Sequence, residues 1–403
     1  MSKAVFAVGL MTGTSLDGID AALVKLKGQG LDTECELLHF LSKPLSLTLR
    51  QKISKECDNM QSTVAGICSL NMELGVLYSE TVTALLAEAL LAQQTFPEKF
   101  AGFKGKLDFI ASHGQTIYHL PQKVAKKAGL MPSTLQIGDP SLMAYQHQTD
   151  VYFNFRMMDV AAGGDGAPLV PLTELILYSH PQKNRLLQNI GGIGNVTVMP
   201  QKATIEDIWA FDTGPGNMMI NDAMMYLYQK PFDDKGAIAK SGALIEDLYS
   251  QLIAHPYLLE KPPKSTGREL FGSRFTDQLL QSFSYEKPED LIHTLTRFTA
   301  YTIAENYRQF ILPYHLIDEV IIGGGGAYNL ALVSYLQEEL PNISVLTNEE
   351  IGISSDAKEA IAFALLGYQT RMRQIGNVPK ATGAIEALVI GQLCPNPFPI
   401  ILE

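Results

Sequence analysis

The sequence predicts an α/β fold made of two similar halves. Short hydrophobic strands alternate with helical patterns along most of the 403 residues, which favours mainly parallel sheets. Each half begins with two strands around a glycine-rich turn, a pattern that indicates an internal duplication. A chain of this length is too long for one small core. We therefore expect two domains, the first at 1–150 plus about 375–403 and the second at 151–374.

The first half combines a hairpin with a long helix and further strands. Its turns are marked by Gly, Ser, Asp and Pro, and its strands by runs of apolar residues. The predicted elements are strands at 4–9 and 20–26, a helix at 63–95, a buried strand at 107–112 that ends at His113, and a strand followed by a helix start within 134–148.

The second half repeats this order of signals. Two apolar strands flank a glycine turn, a third follows, and long helical patterns precede a buried strand that ends in four glycines. The predicted elements are strands at 185–190, 195–200, 207–212, 319–322 and 343–346, and helices at 217–228, 242–254, 289–310 and 357–374.

Charge and composition exclude several classes of function. A net charge of −11 argues against nucleic acid or an anionic membrane as the main partner, because both require a basic surface. Four scattered cysteines fit free thiols in a reducing compartment better than a disulfide framework. The most apolar stretch, TALLAEALLA, contains a glutamate and suits a packed helix rather than a membrane span. With no leader-like segment before the first strand, we expect a cytoplasmic protein.

Three glycine-rich turns are candidates for phosphate binding, because glycine allows backbone N–H groups to approach a ligand closely. The first, at 13–18, is also consistent with an ordinary hairpin turn, although its Asp17 could hold hydrated Mg²⁺. The second, at 191–194, has three glycines in four residues, which favours a ligand-facing role. The third, at 323–326, follows a buried strand as in nucleotide-binding α/β folds, with a tight strand–helix junction as the alternative. No dinucleotide fingerprint or P-loop motif is present.

Several polar residues stand out at the ends of predicted strands. Asp212 precedes the turn Gly214-Pro215-Gly216 and is placed to move a proton. His113 is followed by Gln115 and Thr116, an unusually polar sequence that favours a ligand contact over a structural histidine.

Three further segments each have a structural alternative. Arg156 and Asp159 precede the glycine-rich GGDGAP, where a salt bridge between them is the alternative to ligand binding. Lys264 lies in KSTGRE, which could also be a solvated turn. Glu359 lies near a helix start, where a favourable dipole interaction is the alternative.

Eight ordered motifs together carry a specific resemblance. GLMTGTSLDGIDAAL, ASHGQTI, LQIGDP, the GGDGAPLVP segment, NIGGIGNVT, FDTGPGN, KSTGRE and GGGAYN occur in this order between about residues 8 and 367. The sequence closely resembles the anhydro-N-acetylmuramic acid kinase family of the sugar kinase/Hsp70/actin superfamily. The resemblance implies two duplicated actin-like/ribonuclease-H-like α/β domains with a central cleft.

The resemblance also implies an unusual reaction that uses ATP and Mg²⁺. A 1,6-anhydro sugar has no free 6-hydroxyl, so water opens the internal acetal at C1 while O6 attacks the γ-phosphate. The product would be N-acetylmuramate 6-phosphate, in cell-wall sugar recycling. Asp212 would be the general base for the water and Glu359 a secondary catalytic acid, because water is a weak nucleophile that needs a positioned base.

The family motifs assign the remaining site residues to the nucleotide, the metal and the sugar. The metal ligand would be Asp17. The implied nucleotide-binding residues are Gly13, Thr14, Ser15, Asp17, Gly18, Asn189, Gly191, Gly192, Asn195, Lys264, Gly323, Gly324, Gly325 and Asn329. The implied sugar-binding residues are His113, Gln115, Thr116, Arg156, Asp159, Gly214, Pro215, Gly216 and Asn217.

Three positions depart from the family pattern and leave the choice of sugar open. Met157 and Met158 stand where the family often has basic residues, and Asp165 stands where it usually has Gln. Levoglucosan, the plain 1,6-anhydroglucose, is therefore a second candidate substrate. An ordinary hexose or N-acetylhexosamine kinase and a non-catalytic nucleotide-dependent binding protein of the actin/Hsp70 type are the remaining alternatives. The expected partner is a small sugar, with no nucleic acid or membrane, and the family implies a homodimer.

Overall fold

The computed structural model describes residues 3–399 as an α/β protein with two separate sheets. The chain forms two compact units, the first from Met1–Leu177 with Asp356–Glu403 and the second from Tyr178–Ser355. The units change at 177/178 and 355/356 rather than at the expected 150/151 and about 374/375. Residues 1–2 and 400–403 of the expected first domain lie outside the described residues.

The strands follow the apolar runs of the sequence. They are β1 (Val5–Thr12), β2 (Gly18–Lys27), β3 (Glu34–Pro44), β4 (Phe109–Leu120), β5 (Ser133–Ile137), β6 (Asp150–Phe153), β7 (Arg185–Ile190), β8 (Ile193–Met199), β9 (Trp209–Pro215), β10 (Glu319–Gly323), β11 (Ser344–Thr347) and β12 (Gln392–Cys394).

The helices range from single turns to 32 residues, and short 3₁₀ turns lie between some of them. They are α1 (Leu47–Cys57), α2 (Val64–Thr95), α3 (Gln122–Ala128), α4 (Pro140–His147), α5 (Met157–Ala161), α6 (Val170–Tyr178), α7 (Met218–Tyr228), α8 (Ala237–Ser241), α9 (Glu246–Ile253), α10 (Arg268–Phe271), α11 (Ser273–Ser282), α12 (Pro288–Phe310), α13 (Leu330–Glu339), α14 (Lys358–Arg371) and α15 (Pro379–Thr382).

The two sheets share one topology, which confirms the predicted duplication. In the first unit the order is β12-β6-β4-β1-β2-β3, with β5 paired to β4. In the second unit it is β11-β10-β7-β8-β9. Each unit contains an antiparallel meander of three consecutive strands, β1-β2-β3 in the first and β7-β8-β9 in the second. The first strand of each meander also pairs in parallel with a later strand, β4 or β10. That later strand in turn pairs in parallel with β6 or β11, respectively. This order agrees with the actin-like/ribonuclease-H-like domains that the resemblance implies.

The expectation of mainly parallel sheets is wrong, because both sheets are mixed. Each meander contributes antiparallel pairs, and β5 and β12 add two more to the first sheet. The strand predicted to end at His113 also continues to Leu120. It does so because β5 pairs with its second half, beginning at Gln115 opposite Ile137. The helix predicted at 242–254 is shorter and begins at Glu246.

The different unit boundaries have a physical cause in the first sheet. β6, which begins at Asp150, pairs in parallel with β4 and so belongs to the first unit. Helix α14 packs against β1, where Gly9 has no side chain to hold the helix away. The first unit therefore includes the residues that follow β6 up to Leu177, and it resumes at Asp356 with the segment that contains α14.

Helix α2 is the one helix among residues 3–399 that is long and apolar enough to cross a membrane by length and composition alone, and such a single match is weak evidence. Its Leu70, Leu74, Val82 and Leu85 are buried in the core of the first unit. The spacing of these positions is that of one helix face, so the packing is that of a core helix.

Replacing Gly9 with alanine should destabilise the first unit. An added Cβ would overlap the carbonyl oxygen of Ala360 and lie 2.7 Å from the backbone nitrogen of Ala364, so α14 would have to move away from β1. We expect a loss of about 1–3 kcal/mol in the free energy of unfolding, measured by urea denaturation. Gly191→Ala is the matched control, because its Cβ would have no neighbour closer than 3.6 Å. Equal stability of the two variants would contradict the tight packing of α14.

Candidate active site

In the second unit, the glycine turn between β7 and β8 is bonded to the end of β9. The backbone N–H of Gly216 donates to the carbonyl of Gly192 at 2.9 Å, and that of Asn217 donates to the carbonyl of Gly191 at 2.7 Å. A Cβ on Gly216 would overlap the Gly191 oxygen, so this approach requires glycine. The turns that the sequence predicts at 191–194 and 214–216 therefore form one structure.

The third turn, after β10, joins the same structure. Gly324 has φ of +77°, and a Cβ there would lie 2.6 Å from Oδ1 of Asn189 and 2.9 Å from the carbonyl oxygen of Ile190. The Asn217 amide donates to the same Ile190 carbonyl at 3.1 Å. Gly191 differs from these glycines, since a Cβ on it would meet nothing closer than 3.6 Å. Its lack of a side chain is not explained by packing and favours a ligand-facing role.

A cavity of about 670 Å³ lies beside these turns, within the second unit. Its volume falls in the usual range for small-molecule sites. Among the sequence-predicted residues, Asn217, Gly325 and Asn329 line it. Asn329 is also the N-cap of α13, because its Oδ1 accepts from the backbone N–H of Leu332 at 3.1 Å. The sequence did not identify Phe232, Asp233 and Tyr328, which also line the cavity.

Asp212 on β9 is half-buried, and its carboxylate is held from one side. Oδ2 accepts from the backbone N–H of Thr266 at 2.9 Å. Burial raises the pKa of Asp212; the Thr266 N–H opposes this, and the charge of Glu269 adds to it. A carboxylate with a raised pKa and a fixed direction is suited to accept a proton.

Lys264 does not lie in a solvated turn. It is buried, and its ammonium donates to the carbonyl of Tyr257 at 3.1 Å. Its Nζ also lies 4.5 Å from the centre of the Tyr257 ring and 5.0 Å from that of Phe310. These contacts point the ammonium into the protein, and its predicted role as a nucleotide ligand stays a prediction.

In the first unit, the turn between β1 and β2 presents its side chains to solvent. Thr14, Ser15 and Asp17 are exposed, and the carbonyl of Asp17 accepts from the backbone N–H of Leu45 at 3.2 Å and from Arg50 at 2.9 Å. The backbone of the turn is thus fixed, while its hydroxyls and carboxylate remain accessible.

The carboxylates around this turn fit a hydrated Mg²⁺ better than a dehydrated one. Burial raises the pKa of Asp20; a Ser42 hydrogen bond opposes this, and the nearby charges of Asp356 and Asp17 add to it. Among residues 3–399 there is no group of three or more His, Cys, Asp or Glu placed to hold a metal ion. Mg²⁺ is commonly held by one or two carboxylates, waters and substrate phosphates.

In the first unit, the buried His113 is paired with the partly buried Arg156. The Arg156 Nε donates to His113 Nε2 at 3.0 Å, and Arg156 Nη1 donates to the carbonyl of Gly166 at 2.8 Å. Burial, followed by the Arg156 charge, lowers the pKa of His113 to about 3, so the ring is neutral. Arg156 does not form the salt bridge with Asp159 that the sequence left as an alternative.

Unpaired buried polar atoms lie along β4 and β5. Ser112 Oγ, Gln115 Oε1 and Gln136 Oε1 have no hydrogen-bond partner among the described residues. The Gln136 amide donates to Thr116 Oγ1 at 3.2 Å, which joins two of the predicted motifs. Buried polar groups are normally paired, so this row indicates positions completed by a ligand or by water. The sequence did not single out Gln136, although the polar residue in LQIGDP was a usable signal.

Asp159 is fully buried and its carboxylate is occupied by protein donors. Oδ1 accepts from Asn377 and Thr382, each at 2.7 Å, and Oδ2 accepts from the backbone N–H of Gly166 at 2.8 Å. This placement favours a structural role, and its predicted contact with the sugar stays untested. Asp165, at a position where the family usually has Gln, has a structural explanation. Its Oδ1 accepts from the backbone N–H of Gln122 at 2.8 Å, in the first turn of α3.

Glu359 is exposed in the first turn of α14. Burial lowers the pKa of Arg156, and the Glu359 charge opposes that shift, so the two side chains are close enough to interact. The structure thus brings Glu359 to the surroundings of Arg156 and His113, although these residues are far apart in the sequence.

Known proteins match this chain over nearly its whole length. The family model for anhydro-N-acetylmuramic acid kinase matches residues 5–396. The anhydro-N-acetylmuramic acid kinase of Bacillus thuringiensis subsp. konkukian (strain 97-27) is 47% identical over 396 residues, 98% of this chain and 100% of the relative. That of Clostridioides difficile (strain 630) is 46% identical over 394 residues, 98% of this chain and 99% of the relative.

The chain belongs to the anhydro-N-acetylmuramic acid kinase family. The match spans both units and confirms the resemblance found in the motifs. Among solved structures, the activator of the 2-hydroxyisocaproyl-CoA dehydratase from Clostridium difficile, with bound ADPNP, aligns at 11% identity and a TM-score of 0.39. The alignment covers 91% of this chain and 97% of the activator's chain.

Replacing Asp159 with alanine should destabilise the protein strongly. Three donors would lose their acceptor in a fully buried position, which should cost about 3 kcal/mol or more in the free energy of unfolding. Asp165→Ala is the matched control, because it removes a single helix-end acceptor and should cost about 1 kcal/mol. Both are measured by urea denaturation. An Asp159→Ala protein of normal stability with weakened sugar binding would instead support the sequence prediction.

Replacing Gly191 with alanine should leave stability unchanged and weaken nucleotide binding. The added methyl group fits the protein. It would stand where the sequence predicts that a phosphate approaches the backbone. We expect about tenfold weaker binding of an ATP analogue by calorimetry, equivalent to about 1.4 kcal/mol. Gly216→Ala, whose Cβ overlaps a carbonyl, should instead lower the melting temperature. Unchanged nucleotide affinity in Gly191→Ala would show that this turn does not face the phosphates.

Proposed function

We propose that this protein is an ATP-dependent kinase that opens the 1,6-anhydro bridge of anhydro-N-acetylmuramic acid and phosphorylates O6. The observation that carries the proposal is Asp212, half-buried with a raised pKa, in the middle of β9 and three residues before Pro215, where the strand joins the structure formed by three glycine turns. The family match over residues 5–396 supports the substrate class.

In this proposal, the second unit binds most of the nucleotide. The exposed backbone around Gly191 would face phosphates, and the cavity lined by Asn217, Gly325 and Asn329 would receive the nucleoside. Phosphate oxygens are well matched to backbone N–H groups and to the positive end of a helix. When bound, Mg²⁺ would neutralise charge on the phosphates, and Asp17 with Asp20 would hold its hydration shell.

The chemistry assigned to Asp212 is proton removal from water. As the oxygen of water bonds to C1, the C1–O6 bond breaks and O6 bonds to the γ-phosphorus, whose bond to the β-phosphate oxygen breaks. The proton of the attacking water goes to the Asp212 carboxylate. Because Thr266 engages only Oδ2, Oδ1 is available to accept this proton.

Arg156 supports the muramic sugar over levoglucosan. Its guanidinium is largely buried, and its hydrogen bonds use Nε and Nη1, so Nη2 makes no hydrogen bond among the described residues. The lactyl carboxylate of a muramic sugar could pair with this group, whereas levoglucosan has no anion to offer. Met157 and Met158 do not remove this cation, because Arg156 remains.

The remaining parts of the proposal are implied by the family. A cytoplasmic location fits the four free cysteines of the described structure. The homodimer stays a prediction.

The deciding experiment is turnover in ¹⁸O-labelled water with Mg-ATP and anhydro-N-acetylmuramic acid. We expect a 6-phosphorylated product with label at the anomeric oxygen, detected by mass spectrometry. Label must appear there because the anomeric oxygen comes from water when the bridge is hydrolysed. Levoglucosan serves as the parallel substrate and should turn over more slowly. Phosphorylation of N-acetylmuramic acid or N-acetylglucosamine alone, without turnover of either anhydro sugar, would favour an ordinary sugar kinase.

Asp212→Asn is the matched variant for the same assay. It keeps the shape and the Thr266 contact but cannot accept a proton, so kcat should fall by about 10²-fold or more with little change in ATP binding. In the unaltered protein, kcat should fall as the pH drops towards the raised pKa of Asp212. Full activity of Asp212→Asn would remove this residue from the role of base.

A further inference from the structure

The segment from Tyr257 to Thr266 contacts Asp212 through three different atoms. The backbone N–H of Asp212 donates to the carbonyl of Lys264 at 3.2 Å. The Tyr257 hydroxyl donates to the carbonyl of Asp212 at 2.7 Å, and the Thr266 N–H donates to its Oδ2 at 2.9 Å. The direction of the carboxylate therefore depends on how this segment is held.

Lys264 holds the two ends of that segment together. Its ammonium bonds the Tyr257 carbonyl at 3.1 Å and lies over the rings of Tyr257 and Phe310. An ammonium over an aromatic face is attracted to it, and the attraction grows when the pair is removed from water. The backbone carbonyl of Lys264 accepts from the Asp212 N–H, so one residue links Tyr257 through its side chain and the base through its backbone.

We propose that Lys264 is a positioning residue for Asp212 and acts through Tyr257 rather than by contact with the nucleotide. This inference rests on the proposed function, in which Asp212 is the base. Its ammonium is committed to a carbonyl and two rings in a buried place, which leaves it turned away from solvent. An ammonium that binds phosphate as a point charge would have to leave these contacts.

The charged groups around Lys264 are consistent with an indirect role. Burial lowers the pKa of Lys264 to about 8, and the charge of Glu260 opposes this shift. The charge of Glu269 adds to the raised pKa of Asp212. The pKa of Tyr257 is raised by burial and, to a smaller extent, by the charges of Asp212, Glu260 and Glu269. The segment contacts Asp212 through backbone groups and the Tyr257 hydroxyl, so the Lys264 ammonium acts on the position of the base.

The test compares Lys264→Met with Lys264→Arg and Tyr257→Phe in the full-length protein. With anhydro-N-acetylmuramic acid and Mg-ATP, Lys264→Met should lower kcat by about 10- to 100-fold, because a small misplacement of a catalytic group has an effect of that size. Its KM for ATP should change by less than about threefold, since the affinity for nucleotide is set elsewhere. Lys183→Met removes a lysine that pairs with Glu319 in the same unit and is the control.

The pH profile separates positioning from general stability. In the unaltered protein, kcat should decline as the pH rises past about 8, where Lys264 loses its charge. Lys264→Arg keeps a cation at all these pH values, so it should recover much of the rate and lose the alkaline decline. The double variant of Lys264→Met and Tyr257→Phe should be little slower than the slower single variant, because both act through one path.

The outcomes distinguish this inference from the proposed function. No turnover by the unaltered protein would overturn the proposed function. If the unaltered protein is active, a KM for ATP raised tenfold or more in Lys264→Met with unchanged kcat would identify a phosphate ligand and overturn the positioning role. Should Lys264→Met melt at a lower temperature, Tyr257→Phe decides: a normal kcat in that variant would also overturn the proposal.

Discussion

The second unit depends on the direct contact of backbone with backbone where its glycine turns meet. Gly216 lies against the carbonyl of Gly191 and Gly324 against that of Ile190, at distances that no side chain would allow. This contact brings the ends of β7, β9 and β10 into one rigid structure. Asp212 is carried on β9, at the edge of the second sheet, so its place follows from the packing of glycines that never touch its carboxylate. Such a fixed backbone allows a site to bind charge without reorganising when the charge develops.

A buried carboxylate has the corresponding organising role in the first unit. Asp159 gathers Asn377, Thr382 and the N–H of Gly166 around one side chain that is completely removed from solvent. It thereby joins the C-terminal segment to the glycine-rich loop beside Arg156. A carboxylate in such a place is tolerated only because donors satisfy it, since an uncompensated buried charge is very costly.

The sequence predicts the parts of this protein that follow from local pattern. The hairpins and the three glycine turns could be found because turn chemistry and apolar periodicity are local properties. The strand predicted to end at Asp212 instead continues to Pro215, because its pairing with β8 extends to Ile193. The inward direction of Lys264 could not, since it depends on Tyr257 and Phe310, which are remote from one another in the chain. Likewise, His113 lies inside a strand because β5 pairs beyond it, and a pairing partner is not visible in the strand itself.

The electrostatics of Arg156 connect the fold to the choice of substrate. Removing a guanidinium from water is costly, and the neutral His113 ring that accepts from it returns only part of that cost. The negative charge of Glu359 offsets a further part of this cost, but Glu359 is exposed, so solvent weakens its attraction to Arg156. The Arg156 guanidinium is therefore only partly compensated within the protein, and an anionic ligand would compensate it further whereas a neutral sugar would not. The proposed preference for a carboxylated sugar would then arise from the charge of Arg156, and it would not require the basic residues that Met157 and Met158 replace.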